Sequence, residues 1–323
     1  DAVGIRANDY QRDKAVQRAD ELYTGWAEIR VKDPAEMTVL PSLAQKGKIS
    51  ADCLAGSVDL QTLFPNQCCQ IYCGEKYLLA VYKKAKGLFE HVAKPLKTED
   101  GGKIKPANDR QALLSHLLRD PSIPIVTVLG TAGTGKSLIA FWAGYDQFRR
   151  NVYESLLVYK PIVEVGERTL GLLPGDLQEK MEPWKLPIYD SFNLILGNGN
   201  GSGKEDGHFS ARDVIEEYLQ KGMMEIAPLS HIRGRSLNRS FIIVEETQNL
   251  SPHEVKTVVT RLAKGSKIVL VGDVEQIDNP YLSATSTGLS RAVEITKDSE
   301  LAGHITLTEC KRSDVAALFA NLM

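Results

Sequence analysis

The sequence predicts an α/β protein: a doubly wound, mostly parallel sheet preceded by a small β-rich domain. Three observations carry that reading. Six short apolar runs, near 125–129, 155–160, 224–227, 241–245, 267–272 and 304–308, alternate with segments of helical period. "FIIV" and "KIVLV" show no polar alternation, as expected of strands buried on both faces of a parallel sheet. The residues suited to chemistry then stand directly after such runs, at the strand ends where open α/β sheets hold their ligands.

In chain order, residues 1–25 carry an amphipathic helical pattern, "YQRDKAVQRADELYTGW". Residues 26–106 hold short β-type runs, "TVL", "CCQIYC" and "YLLAVY", followed by the turn-rich linker "KTEDGGKIKP". The α/β domain is expected over 107–323, interrupted by the low-complexity loop "GNGNGSGKEDG" at 197–207.

Composition narrows the function. The chain has 323 residues and a net charge of −2, so its surface is not uniformly basic and any nucleic-acid contact is local. Lysine runs near 82, 94 and 104 read as solvated loops. "HIRGRSLNR" at 231–239 differs, because Arg233, Arg235 and Arg239 directly precede a buried strand. No apolar run approaches a membrane span. Five cysteines, an odd number, point to a reducing cytoplasm, and Cys68, Cys69 and Cys73 lack zinc spacing and read as buried thiols. Because the chain starts at Asp1, it is expected to be a fragment.

"IVTVLGTAGTGKSLIAFWAG" runs from a β-branched strand through a glycine-rich turn into an apolar-periodic helix. Gly130, Gly135, Lys136 and Ser137 fit G-x-x-x-x-G-K-[ST] in the context that motif requires. Glycines let backbone N–H groups close around phosphate oxygens, and the helix N-terminus adds partial positive charge. The cradle is expected to be Gly130, Thr131, Ala132, Gly133, Thr134, Gly135, Lys136, Ser137 and Leu138, with Lys136 reaching the β- and γ-phosphates of ATP and Ser137 ligating Mg²⁺.

"FIIVEETQNL" places Glu245 and Glu246 at the end of a buried strand. Taken alone the pair reads as well as the start of a solvated loop. Beside a phosphate loop, Glu245 is expected in the metal shell and Glu246 as general base on the attacking water. "KIVLVGD" adds Asp273, and Gln276 beyond it is placed to bond the γ-phosphate and the lytic water. Gln111, opening a helix before the loop, has an amide able to pair with adenine N6 and N7. Arg312 is the first choice for an arginine neutralising the transferring phosphoryl group, with Arg261 and Arg233 as alternatives.

These residues resemble a known family. "GTAGTGKS", "KPIVEVGERTLGLLPGDLQEKMEP", "EIAPLSHIRGRSLNRSFIIVEETQN", "TRLAKGSKIVLVGDVEQID" and "STGLSRA" occur in the order seen in PhoH-like ATPases, the phosphate-starvation-inducible proteins, over about 107–323. The resemblance implies a P-loop NTPase with a RecA-like core similar to one motor domain of a helicase, RNA association, and assembly into a homo-oligomeric, hexameric ring with an arginine finger in trans. "DAVGIRANDY" is similar to the end of the PIN nuclease domain in PIN–PhoH fusions, which implies that the nuclease lies outside this chain. Two positions depart from the family: Lys160 where arginine is usual, and Glu245 where aspartate is usual. The expected activity is ATP hydrolysis coupled to RNA or single-stranded nucleic acid. The alternatives are a nucleotide-switched RNA clamp with little turnover, and a small-molecule kinase.

Overall fold

The computed structural model describes residues 14–32, 36–93, 104–161, 177–196, 211–232 and 234–310. Two sheets organise them. The larger has six strands, all parallel: β6 (Ile125–Gly130), β7 (Ser155–Lys160), β8 (Met224–Pro228), β9 (Ser240–Val244), β10 (Lys267–Gly272) and β11 (Ala302–Leu307). Their order is β11-β6-β10-β9-β7-β8, so β10 lies between β6, which leads into the glycine-rich loop, and β9, which leads into the glutamate pair.

Alternation along β9 shows why "FIIV" is uniformly apolar. Phe241 and Ile243 pack into the core on one face, with α2 (Asp109–Arg119), α3 (Lys136–Arg149), α4 (Leu177–Leu196) and α5 (Ala211–Gln220). Ile242 and Val244 pack into the other, with α6 (Pro252–Val259) and α7 (Gly288–Thr296). With both faces covered by helices, a polar side chain in the sheet must find a partner there, as Thr127 of β6 does with His304 of β11 at 2.8 Å. The sheet is therefore doubly wound, as the sequence predicts.

The smaller sheet comprises β1 (Trp26–Arg30), β2 (Lys48–Ser50), β3 (Gln67–Cys73), β4 (Lys76–Lys83) and β5 (Leu88–Val92), ordered β1-β3-β4-β5-β2. One face buries Ile71, Ala80, Tyr82 and Phe89 under α1 (Val39–Lys46). The other presents Cys68, Leu79, Val81 and Val92 to α2, within the same core as the larger sheet. Helix α2 is thus packed between the two sheets. Cys68 and Cys69 lie buried in β3 as free thiols, and burial pushes Cys68 up to about 12.

Two local expectations are corrected. "TVL" is no strand, because Val39, Leu40 and Leu43 recur at helical spacing and bury together; Pro41 sits in the first turn of α1, where a missing N–H costs nothing. Where a helix was expected over 1–25, residues 14–25 hold a single 3-10 turn, Ala19–Glu21. Their backbone is committed elsewhere: Ala15 N–H donates to the Thr285 carbonyl, Tyr23 N–H to Glu294, and the Thr24 carbonyl accepts from Thr306 N–H. Residues 1–13 lie outside the described residues, as do the 197–207 loop and 162–176 of the long family motif.

Candidate nucleotide site

The glycine-rich turn joins β6 to α3. Gly133 and Gly135 have φ of 77° and 84°, the left-handed region that an L side chain strains to enter. At Gly130 an added Cβ would stand 2.5 Å from the Leu307 carbonyl oxygen. The Thr134 hydroxyl is buried and donates to the Thr131 carbonyl at 2.8 Å, which closes the turn on itself. Lys136 Nζ donates to the carbonyls of Gly130 and Thr131. Its burial lowers its pKa, while the charges of Asp273, Glu245 and Glu246 oppose that shift.

Ser137 opens α3 and donates its hydroxyl to Glu245 Oε2 at 2.8 Å. Glu245 follows β9 directly; its other oxygen, Oε1, is buried without a hydrogen-bond partner. Burial raises its carboxyl to about 7, and the neighbouring Glu246 adds to the rise, against the Ser137 hydrogen bond and the charges of Lys160 and Lys136. Asp273, at the end of the intervening strand, is also buried, with Oδ1 accepting from Glu275 N–H and Oδ2 unpartnered. A hydroxyl and two orphaned carboxylate oxygens around a phosphate-binding turn fit a hard cation with oxygen ligands. They match Mg²⁺ in particular, which takes one or two carboxylates plus phosphate and water. Among the described residues there is no group of three His, Cys, Asp or Glu side chains able to hold a metal alone.

Glu246 is half-exposed beside this pair. Its backbone is left-handed, φ 51° and ψ 37°, a conformation costing a non-glycine residue about 1 kcal/mol or more. Lys160 Nζ lies 3.6 Å from one carboxylate oxygen, and Gln248 Nε2 donates to the other at 2.7 Å. Gln276 is exposed on the turn after β10, and its carbonyl accepts from the same Gln248 amide at 2.8 Å.

Gln248 is the residue that sequence reading passed over. It is fully buried, and its Oε1 also accepts from Asp273 N–H at 3.1 Å, so one amide joins Glu246 to the turn carrying Asp273 and Gln276. An amide two residues past a carboxylate at a strand end was the available signal, but only the fold shows that it reaches β10.

Gln111 is buried, and its amide is engaged at both ends: Oε1 accepts from Ala107 N–H at 2.7 Å and Nε2 donates to the Thr134 carbonyl at 2.9 Å. It therefore ties the chain before α2 to the phosphate turn. Of the arginines, Arg312 and Arg233 lie outside the described residues. Arg261 is exposed, and its carbonyl bonds Leu237 just before β9 begins, so it sits at the amino ends of the strands, opposite the glycine-rich turn. Arg239 pairs with Glu154 at that same end, and Arg235 pairs with Glu225 at 2.7 Å.

Two cavities meet at Ser137. One of about 570 Å³ runs along Gly133–Ile139 beneath Ile104, Lys105 and Leu194; the other, about 230 Å³, is walled by Lys160, Glu245 and Glu246. They share Pro187 and Ser191 of α4. The larger has room for a nucleoside, and the smaller brings Lys160, Glu245 and Glu246 together beside Ser137.

A parallel doubly wound sheet, a G-x-x-x-x-G-K-S turn at a helix N-terminus and a carboxylate bonded to the motif's serine define a P-loop NTPase fold. Residues 103–322 match the family described as PhoH-like protein, and the chain belongs to that family. Over its whole length it is 36% identical to Protein PhoH2 of Bacillus subtilis, of which it covers 69%. It is also 39% identical over 221 residues to Protein PhoH2 of Thermobispora bispora, of which it covers 47%. A solved structure of the Pif1 helicase from Candida albicans aligns with 67% of the chain and 42% of its own at a TM-score of 0.34 and 14% identity.

Proposed function

We propose that the chain binds and hydrolyses ATP with Mg²⁺, and that the hydrolysis works on RNA or single-stranded nucleic acid in the cytoplasm. The observation that carries the reading is the Ser137–Glu245 hydrogen bond beside two orphaned carboxylate oxygens. Ser137 and Glu245 would hold the magnesium, with Asp273 behind them; when bound it supplies positive charge to the β- and γ-phosphates.

The chain's own groups divide the remaining work. Backbone N–H groups of 130–137 bind the phosphates, and Lys136 exchanges its two carbonyl partners for phosphate oxygens. Glu246 accepts the proton of the attacking water, and Gln276 orients that water from the neighbouring turn. Gln248 ties the Glu246 carboxylate to the backbone of Gln276. Gln111 holds the turn by its bond to Thr134 rather than reading adenine.

A single core of this kind leaves one side of the site open, so a neighbouring subunit in a ring, hexameric on this reading, would supply the closing wall and an arginine, Arg312 in the first instance. A PIN domain would precede this chain in the complete protein. A second reading, a nucleotide-switched clamp with little turnover, draws on the ties of Glu246 to Lys160 and Gln248, which hold the base in place.

Phosphate release measured with and without single-stranded RNA, alongside Lys136→Ala and mass determination under ATP, tests these points together. RNA-stimulated release that Lys136→Ala abolishes, from an assembled species, is the expected outcome. Tight ATP binding without release gives the clamp, and a strict monomer under ATP removes the ring.

A further inference from the structure

We infer that the five-stranded sheet positions the phosphate turn, acting through three consecutive side chains at the start of α2: Asp109, Arg110 and Gln111. The inference rests on the nucleotide reading above and assigns a role to a part of the chain outside the motif.

Each of the three residues faces a different structure. Asp109 accepts from Gln70 of β3, Nε2 to Oδ2 3.2 Å. Arg110 lays its guanidinium over the Trp26 ring of β1, 4.7 Å from the centroid, and donates to the Thr306 carbonyl of β11. Gln111 then donates to the Thr134 carbonyl inside the phosphate turn. The helix holds the three in fixed relation, because Asn108 caps it by accepting from Gln111 N–H at 2.9 Å. Contact with the turn is close: a Cβ on Gly135 would stand 2.8 Å from Gln111 Nε2.

The far end of α2 is fastened to the same sheet. Lys83 of β4 pairs with Asp120, the residue that ends the helix. A displacement of β1 and β3 against the larger sheet therefore cannot leave α2 in place, and α2 cannot move without moving the amide on Thr134. Yet the walls of the two cavities at the turn include neither Trp26 nor Gln70. These two are positioning residues. By linkage, anything that reseats the small sheet changes nucleotide affinity, and nucleotide changes the seating of the sheet by the same factor.

The test is ATP binding in the presence of Mg²⁺, measured by calorimetry on the whole chain. Trp26→Leu and Gln70→Ala are expected to weaken ATP about 5-fold or more, and Trp26→Phe, which keeps an aromatic face under Arg110, to recover most of the loss. In a Gln111→Ala background the Trp26→Leu effect is expected to shrink below about 2-fold, since the connection is already cut. Leu54→Ala is the control: Leu54 is fully buried in the core on the sheet's other face, so it lowers thermal stability without moving affinity. Unchanged affinity in Trp26→Leu and Gln70→Ala, or an equal loss in Leu54→Ala, overturns the inference. A wild-type chain that binds no ATP overturns the nucleotide reading itself, and is distinguished by that.

Discussion

Asp120 holds the small sheet against the larger one, and its removal has a calculable signature. It ends α2 beside Lys83 of β4, whose Nζ lies 2.5 Å from Oδ2 and also donates to Asn66 Oδ1 at 3.0 Å. Asn66 in turn donates to the carbonyls of Glu300 and Ala302 at 2.9 Å, so four segments meet around one ion pair. Burial alone would raise the Asp120 carboxyl, but the hydrogen bonds from Lys83 and Ser122 and the Lys83 charge outweigh it and hold the group at about 2, against an ordinary 3.8. That difference corresponds to roughly 2 kcal/mol. The side chain is only 17% exposed, so solvent screening removes little of it.

The sign follows from the folded group being the stronger acid. The unfolded state takes up the proton first, so the stabilisation is complete above about pH 5 and is lost as pH falls toward 2, with about 1 kcal/mol gone by pH 3. Urea denaturation of wild type and Asp120→Asn at pH 7, 5, 4 and 3 measures it. The variant is expected to be about 2 kcal/mol less stable at pH 7, with the gap narrowing to about half at pH 3. A gap that stays constant from pH 7 to 3 would refute the assignment, because a carboxylate that contributes no pH-dependent stability is not held by Lys83.

Three further outcomes are expected. Lys267 is fully buried at the head of β10 and donates to the carbonyls of Leu117, Leu118 and Asp120; Lys267→Met strips the Leu117 carbonyl of its side-chain donor, while Gln147 still donates to Leu118 and Ile123 N–H to Asp120, and should cost about 2 kcal/mol in urea unfolding. Gly135→Ala forces a side chain into a left-handed position and against Gln111, and should abolish calorimetric ATP binding while circular dichroism stays close to wild type. Gln248→Met keeps the volume but releases Glu246 from the Asp273–Gln276 turn; kcat should fall about 10- to 100-fold with KM within about 3-fold in steady-state phosphate release.

Much of the larger sheet was legible because its strands are buried on both faces, and a run such as "KIVLVG" has no competing local interpretation. The candidate site was singled out for a related reason: once a glycine-rich motif stands beside them, carboxylates directly after such runs suggest a ligand, and the structure joins one of them, Glu245, to Ser137. Strand order was not legible, because nothing local in "IVTVLG" or "FIIV" says that β10 separates them. The N-terminal region misled through tertiary contact. A helical pattern over 14–25 gives way where the backbone bonds to Thr285, Glu294 and Thr306 instead. The roles of Gln111 and Gln248 were hidden by distance along the chain, since their partners at Thr134 and Asp273 are over twenty residues away. Lys83 misled through its charge: the lysine run near 82 reads as solvated, yet Lys83 is buried at the end of β4, where Asp120 and Asn66 make its burial tolerable.

Hydrolysis by the proposed route depends most directly on Glu246. Phosphate release from Mg²⁺-ATP by wild type and Glu246→Gln, with ATP affinity measured on both, tests its proposed role as the base. The variant is expected to bind ATP within about 2-fold of wild type and to release phosphate about 10²- to 10⁴-fold more slowly. Release at the wild-type rate would contradict the account, because the proton of the attacking water would then be leaving by another route.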